Sequence, residues 1–160
     1  MDITPVNRLN VSLNINNEIY QVEIRPFTTL LSVLRQEIGL TGAKPGCLNG
    51  DCGACTIMMD GLPYKSCIIL AVEAAGKKIT TIEGLKNTLI QQAFIEHFAF
   101  QCGYCTPGFI MNCQALISKV QNPSKETIKE WLSSNICRCT SYEEIEKAIT
   151  SVIQHNNGNE

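Results

Sequence analysis

Eight of the chain's nine cysteines fall into two sets of four whose spacing suits thiolate–metal chemistry. The first set is Cys47, Cys52, Cys55 and Cys67, with four, two and eleven residues intervening. The second joins Cys102 and Cys105, two residues between them, to Cys137 and Cys139, with one between. C-x4-C-x2-C with a distant fourth cysteine is the plant-type spacing for a 2Fe–2S cluster. Such a cluster needs two thiolates for each iron, so the expected chemistry is one-electron transfer. The loop reads Gly46-Cys47-Leu48-Asn49-Gly50-Asp51-Cys52-Gly53-Ala54-Cys55. Its glycines let the backbone bend closely and bring N–H donors to sulfur, which offsets cluster charge and raises the potential. Structural zinc prefers two C-x2–4-C knuckles, a poor match to this triplet.

The second set is ambiguous on spacing alone, because two well-separated cysteine pairs can also hold zinc. Each pair stands just before an expected helix N-terminus, at Thr106-Pro107 and at Ser141. There the dipole and free N–H groups favour an anionic centre of either metal.

The elements that must position these cysteines change character midway. Leu9, Val11, Leu13 and Ile15 alternate with polar residues, as do Tyr20, Val22 and Ile24, and Asn16-Asn17 supplies turn chemistry between them. Thr28 or Thr29 can cap a helix with the stripe Leu30, Leu31, Leu34 and Ile38, ended by Gly39. Strands are expected over Thr56 to Asp60, after an Asp60-Gly61 turn toward Cys67, and over Lys77 to Ile82. Around Ile82 to Asn87 the apolar period lengthens to that of a helix, which places a domain boundary between residues 84 and 85. Four helices are expected beyond it. Their faces are Leu89, Ile90, Ala93, Phe94 and His97; Phe109, Ile110, Cys113, Leu116, Ile117 and Val120, opened by Thr106 as N-cap and Pro107; Ile128, Trp131 and Leu132, capped by Ser124; and Tyr142, Ile145, Ile149 and Val152, behind a Ser141-x-x-Glu144 capping box. The tail from His155 is polar and expected to fray.

Bulk properties remove other classes. A net charge of -2 and a pI near 5.7 give no electrostatic reason to expect nucleic acid or anionic membrane. The longest apolar run, Ile68 to Val72, is too short to span a bilayer. The first ten residues lack the pattern of a secretory signal, which points to the cytoplasm, where thiols stay reduced and cysteine clusters serve as metal ligands or catalysts. Only two histidines occur, no nucleophile is paired with a base, and neither GxGxxG nor a P-loop is present. Substrate chemistry is therefore expected elsewhere.

Gly46 to Cys55 (GCLNGDCGAC), Gln101 to Gly108 (QCGYCTPG) and Asn135 to Tyr142 (NICRCTSY) together resemble the iron–sulfur subunit of the molybdenum hydroxylases. That is the xanthine dehydrogenase and aldehyde oxidoreductase family, with nicotinate and carbon monoxide dehydrogenases among its members. The resemblance implies an α+β chain: a β-grasp, plant-type ferredoxin-like domain over residues 1–84, then an all-α four-helix 2Fe–2S domain over 85–160. It implies that Cys102, Cys105, Cys137 and Cys139 receive electrons from molybdopterin on a large subunit. Cys47, Cys52, Cys55 and Cys67 would pass them toward FAD on a medium subunit. Gln101 would lie near the pterin. The implied reaction is hydroxylation of a heterocycle or aldehyde, or oxidation of CO, with a purine such as xanthine or hypoxanthine the first expectation. The family usually has glycine where this chain has Ser141.

Three other residues invite functional readings. Cys113 is expected to be a buried core thiol, His97 a packed or rim histidine rather than a ligand, and Arg138, between two proposed ligands, either a residue that tunes potential or touches the partner or a solvated or ion-paired cation. Rival functions are a free-standing ferredoxin-like carrier, for which a second cluster has no evident use, and a zinc-binding interaction module.

Overall fold

A computed structural model describes residues 7–158. Residues 1–6, which carry most of the segment read for a signal, and 159–160 lie outside the described residues.

The alternating segments form β1 (Leu9–Ile15) and β2 (Glu18–Ile24), an antiparallel hairpin with Leu9 opposite Ile24. Asn16 and Asn17 both take positive φ, 54° and 68°, the mirror-image turn that matches strand twist. Helix α1 (Leu30–Ser32) is capped by Thr29 rather than Thr28, its hydroxyl accepting from the Ser32 N–H at 3.3 Å. The helix continues as a wider π-helical stretch, Val33–Glu37. β3 (Thr56–Met59) and β4 (Leu62–Lys65) form a second hairpin. β3 ends one residue earlier than expected because Asp60 already turns, with φ 52°. Its carboxylate accepts from the Lys78 N–H at 2.9 Å. β5 (Lys78–Thr80) is shorter than expected and runs parallel to β1 and antiparallel to β3, so the sheet order is β2-β1-β5-β3-β4. Leu13, Ile15, Leu30, Leu34, Ile57 and Ile79 are fully buried in one core between the sheet and α1.

The second half carries α2 (Leu89–Glu96), α3 (Thr106–Lys119), α4 (Lys125–Leu132) and α5 (Tyr142–Gly158). Ile90, Phe94, Phe109, Leu116, Ile145 and Ile149 fill a separate core. Ser124 caps α4 as expected, accepting from the Thr127 N–H at 3.2 Å. Thr106 does not cap α3; Cys105 takes that position, and the Thr106 hydroxyl sits in the first turn, buried without a partner. Leu89, placed on the apolar face of α2 by periodicity, is exposed. The segment after His155 continues α5 to Gly158 instead of fraying. No helix among the described residues is long and apolar enough to cross a membrane.

One feature of α3 escapes the periodicity. Phe109, Ile110, Cys113 and Leu116 face the helical core, yet Gly108, Met111, Asn112 and Ala115 are buried as well. That second face packs on β3 and β4, so α3 belongs to both halves of the chain.

Candidate metal centres

Each set of cysteines comes together in space, and in each set the thiols gather as two pairs. In the first, the Cys47 N–H donates to the Cys52 sulfur and the Cys52 N–H to the Cys47 sulfur, both at 3.3 Å. Behind this rim pair, Cys55 and Cys67 are buried as neighbours. In the second, Cys102 and Cys139 are exposed with their sulfurs 3.6 Å apart. The half-buried Cys105 and Cys137 form the inner pair. With metal–sulfur bonds of roughly 2.3 Å, two thiolates on one tetrahedral metal stand roughly 3.8 Å apart, so the outer pair suits a shared metal atom. Among the described residues no three His, Cys, Asp or Glu side chains converge on a single ion position. Two pairs are the donor set a binuclear iron centre requires.

The protonation behaviour follows position. The Cys52 N–H, then that of Asn49, holds the Cys47 thiol down to about 6, close to thiolate at neutral pH. Burial pushes Cys67 up to about 12, aided by Cys55. In the second centre the Tyr104 N–H lowers Cys102, while burial raises Cys105 to about 12. Metal binding must displace the protons of Cys67 and Cys105, which couples loading to folding. Gly46 admits the loop's close turn: a Cβ there would lie 2.5 Å from the Cys52 sulfur.

What spacing alone missed is the knot between the two loops. Asn135, 1% exposed, donates from Nδ2 to the Gly53 carbonyl at 2.9 Å. The Ile136 N–H donates to the Cys52 carbonyl at 2.9 Å. Tyr104 donates its hydroxyl to the Pro45 carbonyl at 3.3 Å, and Lys65 donates to the Ser134 carbonyl. Burial lowers the Lys65 ammonium below its usual range against the opposing pull of Cys55, Cys52, Cys67 and Cys47. The only signals in the chain were adjacency: Asn135 and Ile136 directly precede Cys137, and Gly108 follows Thr106-Pro107.

Tyr142 steadies the second loop. Its hydroxyl accepts from the Cys137 N–H at 3.2 Å and donates to the Asn135 carbonyl at 2.8 Å, while its ring meets Phe109 edge-on at 5.9 Å. Tyr142→Phe is expected to cost about 1 kcal/mol and to alter only the second centre's spectrum. Thermal unfolding with EPR of the reduced protein checks both.

Cys113 is buried in the helical core, its thiol raised to about 12 by burial. His97 ends α2, its N–H on the Ala93 carbonyl at 3.0 Å, and Arg138 is exposed. Gln101 is exposed beside Cys102, amid exposed Phe98, Phe100 and Tyr104. Ser141 is absent from the described non-glycine residues with positive φ, so replacing the family's glycine strains nothing here. Its hydroxyl donates to the Glu144 carboxylate.

A mixed α+β chain with two paired-thiol centres on facing loops defines an iron–sulfur protein of the electron-transfer class. Residues 81–150 match the 2Fe–2S binding domain family. The nicotinate dehydrogenase small FeS subunit of Eubacterium barkeri is 41% identical over 153 residues, covering 93% of this chain and 98% of that one. A probable xanthine dehydrogenase subunit of Bacillus subtilis is 41% identical over 157 residues, covering 96% and 91%. Among solved structures, quinoline 2-oxidoreductase from Pseudomonas putida 86 superposes with a TM-score of 0.88 at 39% identity, covering 94% of this chain and 97% of that one. The chain belongs to the small iron–sulfur subunits of the molybdenum hydroxylases, and is an oxidoreductase subunit carrying 2Fe–2S clusters. The named substrates of these relatives differ, so likeness alone does not select a purine.

Proposed function

We propose that this subunit relays electrons from molybdopterin on a large partner subunit, through two 2Fe–2S centres, to FAD on a medium subunit. Cys102, Cys105, Cys137 and Cys139 hold the centre nearer molybdenum, with Gln101 beside the pterin. Cys47, Cys52, Cys55 and Cys67 hold the centre nearer the flavin. Each bound cluster supplies reversible one-electron transfer, which splits the two electrons of substrate oxidation. The observation that carries this reading is the two-plus-two pairing of thiols in both sets. Two separate apolar cores, the first ending at Ile79 and the second already joined by Ile82, support a division close to the proposed residues 84/85, and the parallel β1–β5 pairing beneath α1 supports a β-grasp for the first unit. The exposed aromatic residues around Gln101 support a protein partner over that face. The cytoplasm is the proposed compartment, since it keeps such thiols reduced.

Purified with its partners, the protein is expected to be red-brown and to give two distinguishable 2Fe–2S EPR signals on reduction. A colourless zinc protein would refute the reading, and recovery as a stable monomer would favour the ferredoxin-like carrier. An N-heterocycle is the proposed substrate class, with xanthine or hypoxanthine first. Anaerobic bleaching of the clusters by each compound, against nicotinate as comparison, tests it.

A further inference from the structure

Lys65 ends β4, two residues before Cys67, and its ammonium lies against Gly53, between Cys52 and Cys55 of the first set. Its side chain leaves its own half of the chain to donate to the Ser134 carbonyl beside the second centre's loop. Gly53 makes room for it: a Cβ there would lie 2.8 Å from the Lys65 nitrogen. None of the ion pairs among the described residues involves Lys65, so no carboxylate neutralises it. The charge is half-buried and held by a neutral acceptor, where solvent screens it less than a free surface lysine.

One-electron reduction adds a negative charge to a centre that its thiolates already make anionic. A fixed cation beside that centre stabilises the reduced form more than the oxidised one. We propose that Lys65 raises the reduction potential of the Cys47–Cys52–Cys55–Cys67 centre, its charge held in place by the Ser134 carbonyl of the helical half. The first centre thereby becomes a better acceptor for the electron arriving from the second. Because the tether crosses between halves, correct packing of α3 on the sheet also sets the potential. This inference rests on the two-cluster reading above.

The test is an EPR-monitored redox titration of the assembled enzyme carrying Lys65→Met, Lys65→Gln or Lys65→Arg. In Met and Gln the first centre's reduced-to-oxidised ratio at fixed potential is expected to fall about tenfold, about 59 mV for one electron. The second centre should stay within a threefold change, and Arg should retain most of the effect. Gln keeps a donor for the Ser134 carbonyl, so it separates charge from tether. Unchanged ratios in Met and Gln with both signals present overturn the proposal, as does an equal shift of both centres. Loss of the first signal alone in both variants would mean a structural role and overturn it as well. Absence of two signals in the unmodified enzyme would instead defeat the two-cluster reading.

Discussion

Cys105→Ala is expected to abolish the second centre and leave the first intact. Cys105 is one half of the half-buried inner pair, and alanine leaves its partner Cys137 without the second thiolate an iron atom needs. Iron content per chain should fall to about half, one of two EPR signals should vanish, and substrate should no longer reduce the flavin. Free energy of metal binding is also folding free energy, on the order of 10 kcal/mol for structural metal sites. The loops before α3 and α5 should therefore loosen, while the apolar core around Phe109 and Ile145 keeps the helices collapsed. Cys113→Ala is the control. Its thiol only packs, so both signals should persist at a cost of about 1 kcal/mol. Two signals surviving in Cys105→Ala would remove that residue from the ligand set.

Gly108→Ala is expected to be the most damaging single methyl group in the chain. The added Cβ would fall 2.2 Å from the Gly53 carbonyl oxygen and 3.2 Å from both the Ala54 Cα and the Asn135 Nδ2. The nearest of these is backbone and cannot swing aside. Helix α3 must retreat from the first centre's loop, straining the Asn135–Gly53 and Ile136–Cys52 hydrogen bonds. Overpacking costs about 1–3 kcal/mol and each of the two weakened hydrogen bonds about 1 more, so roughly 3–5 kcal/mol is expected. In a chain of this size that lowers Tm by roughly 6–20 °C. Gly76→Ala separates packing from backbone strain: its φ is +75° but nothing lies within 4 Å, so about 1 kcal/mol is expected. Thermal unfolding followed by circular dichroism and visible absorbance compares them. Equal losses in the two variants would show that the close approach at Gly108 carries no special weight.

Both experiments probe features that were unequally legible beforehand. Period-two alternation gave the β1–β2 hairpin, and Asn16-Asn17 gave its turn, because strand pairing and turn geometry are local. Ser124 before α4 was readable for the same reason. Threonine before proline generally suits a cap, yet Thr106 does not serve as one because the preceding loop turns helical one residue earlier, at Cys105. The 3.6-residue stripe of α3 named one buried face and hid the other. Gly108, Asn112 and Ala115 are small or polar, and no hydropathy pattern marks residues buried by close backbone approach rather than by apolar area.

The chain's own order of residues determined the chemistry. Eight cysteines in two spaced sets, with glycines among the first and helix starts behind the second, specify thiolate–metal centres, iron by spacing at the first and by family resemblance at the second, because ligand number and loop length are properties of the local chain. Only the tertiary structure decided how the thiols pair, two outer and two inner in each centre, and how the two loops meet. Those outcomes depend on contacts between residues far apart in sequence, Asn135 with Gly53 and Lys65 with Ser134, whose distances are set when the helical core and the sheet close on the two faces of α3.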